Sequence, residues 1–200
     1  MKNIVLVLDP AHGMNVTGKQ SPDGKHREYR WSRDRVNSLR KKLTALGYDV
    51  YTTTDSENEP GLSKRKNRAN TIRKGERKLL LSLHNDAAGA DGKWHKARGA
   101  SVWTTPGVTK SDICAEIILN QLHKDFPEVP IRYYDAHQKY GKDFEAKFTV
   151  LMGSDYMACL IEWLFQDNEE DVKLLADEMT NQRYEESLIK AIEEINEYFA

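Results

Sequence analysis

The sequence holds only two cysteines, Cys114 and Cys159, in 200 residues. Both sit in apolar contexts, one helix-like and one strand-like, which reads as two buried thiols rather than a disulfide. Long hydrophobic runs are also missing. The longest, such as residues 4–8, are far too short to span a bilayer, so no stable membrane insertion is expected. No excess charge of either sign exists: 30 Lys and Arg face 31 Asp and Glu, for a net charge of -1. That balance argues against nucleic-acid binding driven by a global basic field, though a local basic patch remains open. The N-terminus lacks the apolar stretch and small-residue cleavage site of a secretory signal. Either no signal is carried or one has been removed. No repeat, low-complexity tract or Pro/Gly/Ser linker divides the chain.

What is present is an alternation of strand-like and helix-like segments. The β-branched, apolar run KNIVLVL predicts a buried strand over 2–8. Trp31, Arg35, Leu39, Leu43 and Leu46 recur at helical spacing and predict a helix over 28–46, stopped by Gly47. Further strands are predicted over 48–53, 78–83, 100–104 and 157–163. Further helices are predicted over 62–74, 111–126, 169–178 and 182–198. At this length the pattern predicts a single α/β domain with a mainly parallel, twisted sheet and helices on both faces. Such sheets bind ligands at the carboxyl ends of their strands.

Those ends carry chemistry. Asp9-Pro10-Ala11-His12-Gly13 follows the first strand, and His84-Asn85-Asp86 follows the strand over 78–83. Glu28 opens the first helix, and Glu162 lies inside the apolar run MACLIEW. Each His alone is more often structural, and Glu28 is also a favourable helix N-terminal acid. Glu162 is harder to dismiss, because a carboxylate among Leu160, Ile161, Trp163 and Leu164 is costly to bury without a partner or a task. An outward-facing place on an edge strand is its remaining bland reading. Taken jointly, two His and one Glu make a known catalytic zinc set that leaves a position for water. Glu162 is then the candidate general base.

At this point the sequence resembles the zinc-dependent N-acetylmuramoyl-L-alanine amidases, a family of bacterial and phage cell-wall hydrolases. The family's opening D-P-G-H-G-G turn is matched by Asp9-Pro10-Ala11-His12-Gly13-Met14, and its ligand Glu by Glu28. Its S-L-x-x-R-x-x-x-A-N segment places an Arg at Arg65 and Ala-Asn at Ala69-Asn70. Its S-I-H-A-N-A-A is matched by Ser82-Leu83-His84-Asn85-Asp86-Ala87-Ala88, and R-G-x-x-V by Arg98-Gly99-Ala100-Ser101-Val102. Its E-x-x-F-x-x-N is matched by the segment from Glu162 through Phe165 to Asn168, with Trp163 and Gln166 between. Ala11, Met14 and Asp86 depart from the pattern, replacing two glycines and an asparagine.

The resemblance implies zinc held by His12, Glu28 and His84, with Glu162 as catalytic acid/base. The implied reaction is hydrolysis of the amide between the lactyl group of N-acetylmuramic acid and L-alanine of the stem peptide. Arg65, Asp86 and His137 are candidate substrate-binding residues. The polar, aromatic stretch over 123–147 reads equally well as a groove wall or as a surface excursion. The basic residues around Arg65 read as a solvated helix face, and His26, His95 and His123 as solvated. The pattern fills the chain, leaving no room for a separate wall-binding domain, and a monomer is expected. The partner is peptidoglycan rather than nucleic acid. Action on the wall implies periplasmic or extracellular work; a phage lysis enzyme held in the cytoplasm until release and a trimmed secreted enzyme both fit. The competing enzyme reading is a carboxypeptidase on the stem peptide. The competing non-enzyme reading, a wall-binding module that has lost catalysis, would require loss of Glu162 or a His, and all are present.

Overall fold

The computed structural model describes residues 2–132 and 142–200. Among the described residues six strands form one sheet: β1 (Val5–Pro10), β2 (Val50–Thr52), β3 (Lys78–Asp86), β4 (Ala100–Thr104), β5 (Phe144–Glu145) and β6 (Met157–Phe165). Among the described residues five helices accompany them: α1 (Glu28–Ala45), α2 (Leu62–Thr71), α3 (Lys110–Asp125), α4 (Glu169–Ala176) and α5 (Glu178–Tyr198). The strand order is β2-β1-β3-β6-β4-β5. Every pairing is parallel except β4 with β6. The expected α/β domain with a mainly parallel sheet is therefore the one observed. No helix among the described residues is long and apolar enough to cross a membrane.

Alternation along the central strands sends successive side chains to opposite faces. Leu6, Leu8, Leu79, Leu81, Leu83, Cys159, Ile161 and Trp163 join the large core with residues of α1, α3 and α5. Val7, Leu80, Ala158 and Leu160 face the other way, against Ala69 of α2 and Val150 and Leu151. Asp9, Ser82, His84 and Glu162 continue this second row by parity. Helix α2 lies over both halves of this row: Ala69 packs on the apolar half, and Arg65 reaches Asp9 in the polar half toward the strands' carboxyl ends.

Several boundaries differ from expectation for physical reasons. The first strand starts later and runs on through Pro10, because its ladder with β3 extends from Val5↔Lys78 to Pro10↔Leu83. A proline is tolerated at such a terminal position. His84 lies within β3 rather than after it. The last two helices are separated by Asp177 alone, whose carboxylate accepts from the Thr180 N–H and caps α5. The short strand β5 falls in the stretch that pattern reading left undivided. It is held by pairing Trp103 to Phe144 and stacking their rings 4.7 Å apart. Cys114 and Cys159 are free and buried, as expected.

Candidate active site

The turn after β1 brings His12 back over the sheet. His12 itself has φ of 46°, and a Cβ on Gly13 would sit 1.9 Å from the Glu59 backbone nitrogen, so glycine is required there. Arg33, from α1, donates to the carbonyls of Ala11 and His12 and pins the turn. Ser32 Oγ accepts from the Ala11 N–H and donates to the Leu83 carbonyl, tying the turn to β3. The two departures from glycine are accommodated: Ala11 is fully buried and Met14 points to solvent.

Glu28 is set by a hairpin. A bridge between Gln20 and Arg27 folds the chain back, and the Glu28 N–H donates to the Lys19 carbonyl. The carboxylate is then fully buried beneath two histidines. Its Oε1 lies 3.0 Å from His84 Nδ1 and 3.4 Å from His12 Nε2. The two imidazoles meet edge to face with centroids 5.0 Å apart. One ligand atom from each of His12, Glu28 and His84 falls within 4.8 Å of the others. Glu28 also accepts from the Asn85 N–H and from Gln166 Nε2, at 3.1 Å each. Burial alone would raise its carboxyl, but the two histidines outweigh that and hold it well below the ordinary range. Burial lowers His84, against the opposing pull of Glu28, which favours a neutral imidazole. Neutral nitrogen and ionised oxygen are the donor forms that a divalent borderline cation takes. The residues present therefore fit a metal ion.

Glu162 stands directly across the ladder from His84 in the β3–β6 register. Beyond that pair two residues of β3 oppose three of β6, a bulge in which Leu164 takes φ of 63°. Oε2 of Glu162 is enclosed and finds no hydrogen-bond partner among the described residues. Burial, then the charges of Glu28 and Asp86, push its carboxyl well above the ordinary range; Lys19 and Arg132 pull weakly the other way. A carboxyl that readily takes up a proton thus adjoins a cluster able to hold a cation. The bland reading, an outward-facing carboxylate on an edge strand, does not apply: β6 is central.

The remaining candidates separate. Asp86 lies at the end of β3, where Oδ2 accepts from Arg132 Nη1 at 2.5 Å. The Arg132 guanidinium in turn covers the Phe165 ring at 4.8 Å. Arg65 corrects expectation. Its side chain is 1% exposed and fully engaged, with Nε and Nη2 on Asp9 and Nη1 on Glu59, so it is not free to meet substrate. His26 is a second correction. It is buried, with Nε2 2.8 Å from Asn85 Oδ1, rather than solvated. His137 lies outside the described residues. Ser32, Arg33, Asn85 and Gln166 support the site although the sequence alone does not mark them as candidates. Asn85 adjoins His84 in sequence and Gln166 falls inside the E-x-x-F-x-x-N match, the signals available for these two.

The chain is similar in sequence pattern and fold to known proteins. The family model described as N-acetylmuramoyl-L-alanine amidase matches residues 6–194. Among solved structures, the N-acetylmuramoyl-L-alanine amidase of Clostridium difficile 630 superposes with TM-score 0.79 at 21% identity, over 96% of this chain and 96% of that one. The amidase Ami1 of Mycobacterium smegmatis superposes with TM-score 0.79 at 19% identity, over 98% of this chain and 97% of that one. The catalytic domain of the amidase CwlV of Bacillus (Paenibacillus) polymyxa does so with TM-score 0.79 at 18% identity, over 96% and 97%. These likenesses concern the fold. No curated protein matches by sequence. With the family model spanning nearly the whole chain, the protein belongs to the N-acetylmuramoyl-L-alanine amidase family of peptidoglycan hydrolases.

Proposed function

We propose that the chain is a zinc amidase that cleaves the bond between the lactyl carbonyl of N-acetylmuramic acid and the amine of L-alanine. The observation that carries this reading is the convergence of His12, Glu28 and His84 beside a buried Glu162 oxygen that has no hydrogen-bond partner among the described residues. The three donors would hold the ion. When bound, zinc supplies Lewis acidity, polarising a carbonyl and bringing the pKa of water toward about 7. Asn85 and Gln166 orient Glu28 through its two oxygens, and Arg33 and Ser32 fix the turn that carries His12. Glu162 takes a proton from the attacking water and returns it to the departing amine. The hydroxyl adds to the lactyl carbonyl carbon, the C–N bond then breaks, and the products are a lactyl carboxylate and a free L-alanine amino terminus. We infer action at the cell wall, where that substrate is found.

Two results test the reading. The purified protein is expected to hold one zinc per chain, and His84→Ala to lose most of it, by metal analysis of both. Equal zinc in the two proteins would remove His84 from the ligand set. Digested peptidoglycan is expected to yield stem peptides with new L-alanine amino termini by mass analysis. Release of terminal D-alanine with the lactyl amide intact would move the assignment to a carboxypeptidase.

A further inference from the structure

A chain of hydrogen bonds runs from the histidine cluster back into the sheet. His84 is 3.0 Å from Glu28 through Nδ1 and 3.1 Å from Ser82 Oγ through Nε2. Ser82 Oγ lies 2.5 Å from Asp9 Oδ2. Ser82 and Asp9 are both fully buried, so no exposed water competes for these atoms. Asp9 also meets Thr53 Oγ1 and two nitrogens of Arg65.

Counting protons along this chain settles its direction. Asp9 is surrounded by four donors, one from Thr53, one from Ser82 and two from Arg65. Beside a guanidinium it is an ionised carboxylate, which only accepts. Ser82 has a single hydroxyl proton, and Asp9 takes it. Toward His84 the Ser82 oxygen can therefore only accept. Nε2 of His84 must therefore carry a proton, while Nδ1 is the nitrogen turned to Glu28, 3.0 Å away, where a bound cation would replace the proton that the carboxylate otherwise accepts.

We infer that Ser82 and Asp9 are positioning residues that hold His84 in the Nε2–H form and present Nδ1 to the metal. This rests on the reading of His84 as a zinc ligand. Parity explains how the relay is built: Asp9, Ser82 and His84 share one face of adjacent strands β1 and β3, with Asp9 paired to Ser82 in register. The ligand's orientation is thus anchored in strand backbone, not in a loop. Partners of this kind commonly change metal affinity by about 10- to 100-fold when removed.

The test compares the full chain with Ser82→Ala and Ser82→Thr. Zinc affinity is read by competition with a chromogenic chelator, and the His84 tautomer by 15N shifts in histidine-labelled, metal-free protein. Thermal melting follows the fold. Ser82→Ala is expected to bind zinc about 10- to 100-fold more weakly and to lose the proton on Nε2, leaving the one on Nδ1 that Glu28 accepts. Ser82→Thr, which restores a hydroxyl, is expected to recover both. Zinc binding at wild-type strength by Ser82→Ala, or an unchanged His84 tautomer in it, overturns the inference and leaves the metal reading intact. A wild-type spectrum in which Nε2 carries no proton overturns it even if Ser82→Ala does not fold. Failure of the wild-type protein to bind zinc overturns the inference and the metal reading together.

Discussion

Glu162→Gln is expected to fold normally, to keep its zinc and to lose about 10²-fold or more in turnover. Glutamine preserves the shape of the side chain but cannot accept a proton. The carboxyl stands across the β3–β6 ladder from His84, yet it is not one of the clustered donors. Removing its charge should therefore leave metal occupancy unchanged. The fold should gain slightly, since burial and the charge of Glu28 make an ionised carboxylate costly at this position. Zinc content, melting temperature and amide hydrolysis must be measured on one preparation. Loss of metal along with activity would make Glu162 a ligand. Near-wild-type hydrolysis by the zinc-loaded variant would sink the acid–base role.

Much of this site could be read along the chain because its residues break local rules. Glu162 interrupts an apolar strand, and His12 and His84 stand where a parallel sheet offers its ligands. The sheet, the helices and the clustering of His12, Glu28 and His84 follow from such signals. What stayed hidden depends on contacts between distant segments. Arg65 sits in a basic helix that looks solvated, and nothing local says that Asp9, 56 positions away in sequence, will bury its guanidinium. His26 has polar neighbours in sequence, but the hairpin that delivers Glu28 also carries His26 onto Asn85. β5 is two residues long, and its signal is an aromatic partner on β4. The antiparallel course of β4 is likewise set by its neighbour β6, not by its own composition.

Arg65→Ala is expected to damage stability, where a substrate contact would have altered only substrate affinity. The guanidinium is 1% exposed and its principal partner Asp9 fully buried, so solvent does not screen the pair. Two of its nitrogens serve Asp9 and a third serves Glu59. Deleting one partner of such a pair strands the other and typically costs about 3–5 kcal/mol. For a chain of this size that lowers the melting temperature by roughly 6–20 °C. Arg65→Lys is expected to fall between, because an ammonium cannot reproduce the forked contact. The effect should also depend on pH. Burial alone would raise the Asp9 carboxyl, but Arg65, with Ser82 and Thr53, holds it below its ordinary value. A depressed carboxylate contributes stability above its unfolded pKa, and that contribution is lost as pH falls through the folded pKa. The gap in stability between wild type and Arg65→Ala should therefore be widest near neutrality and narrow in acid. The same loss reaches the active site: without Arg65, Asp9 can take up a proton, Ser82 is no longer forced to donate to it, and His84 loses its fixed orientation. Arg65→Ala should accordingly weaken zinc binding while it lowers the melting temperature. An unchanged melting temperature with a raised KM would instead return Arg65 to the substrate-binding residues.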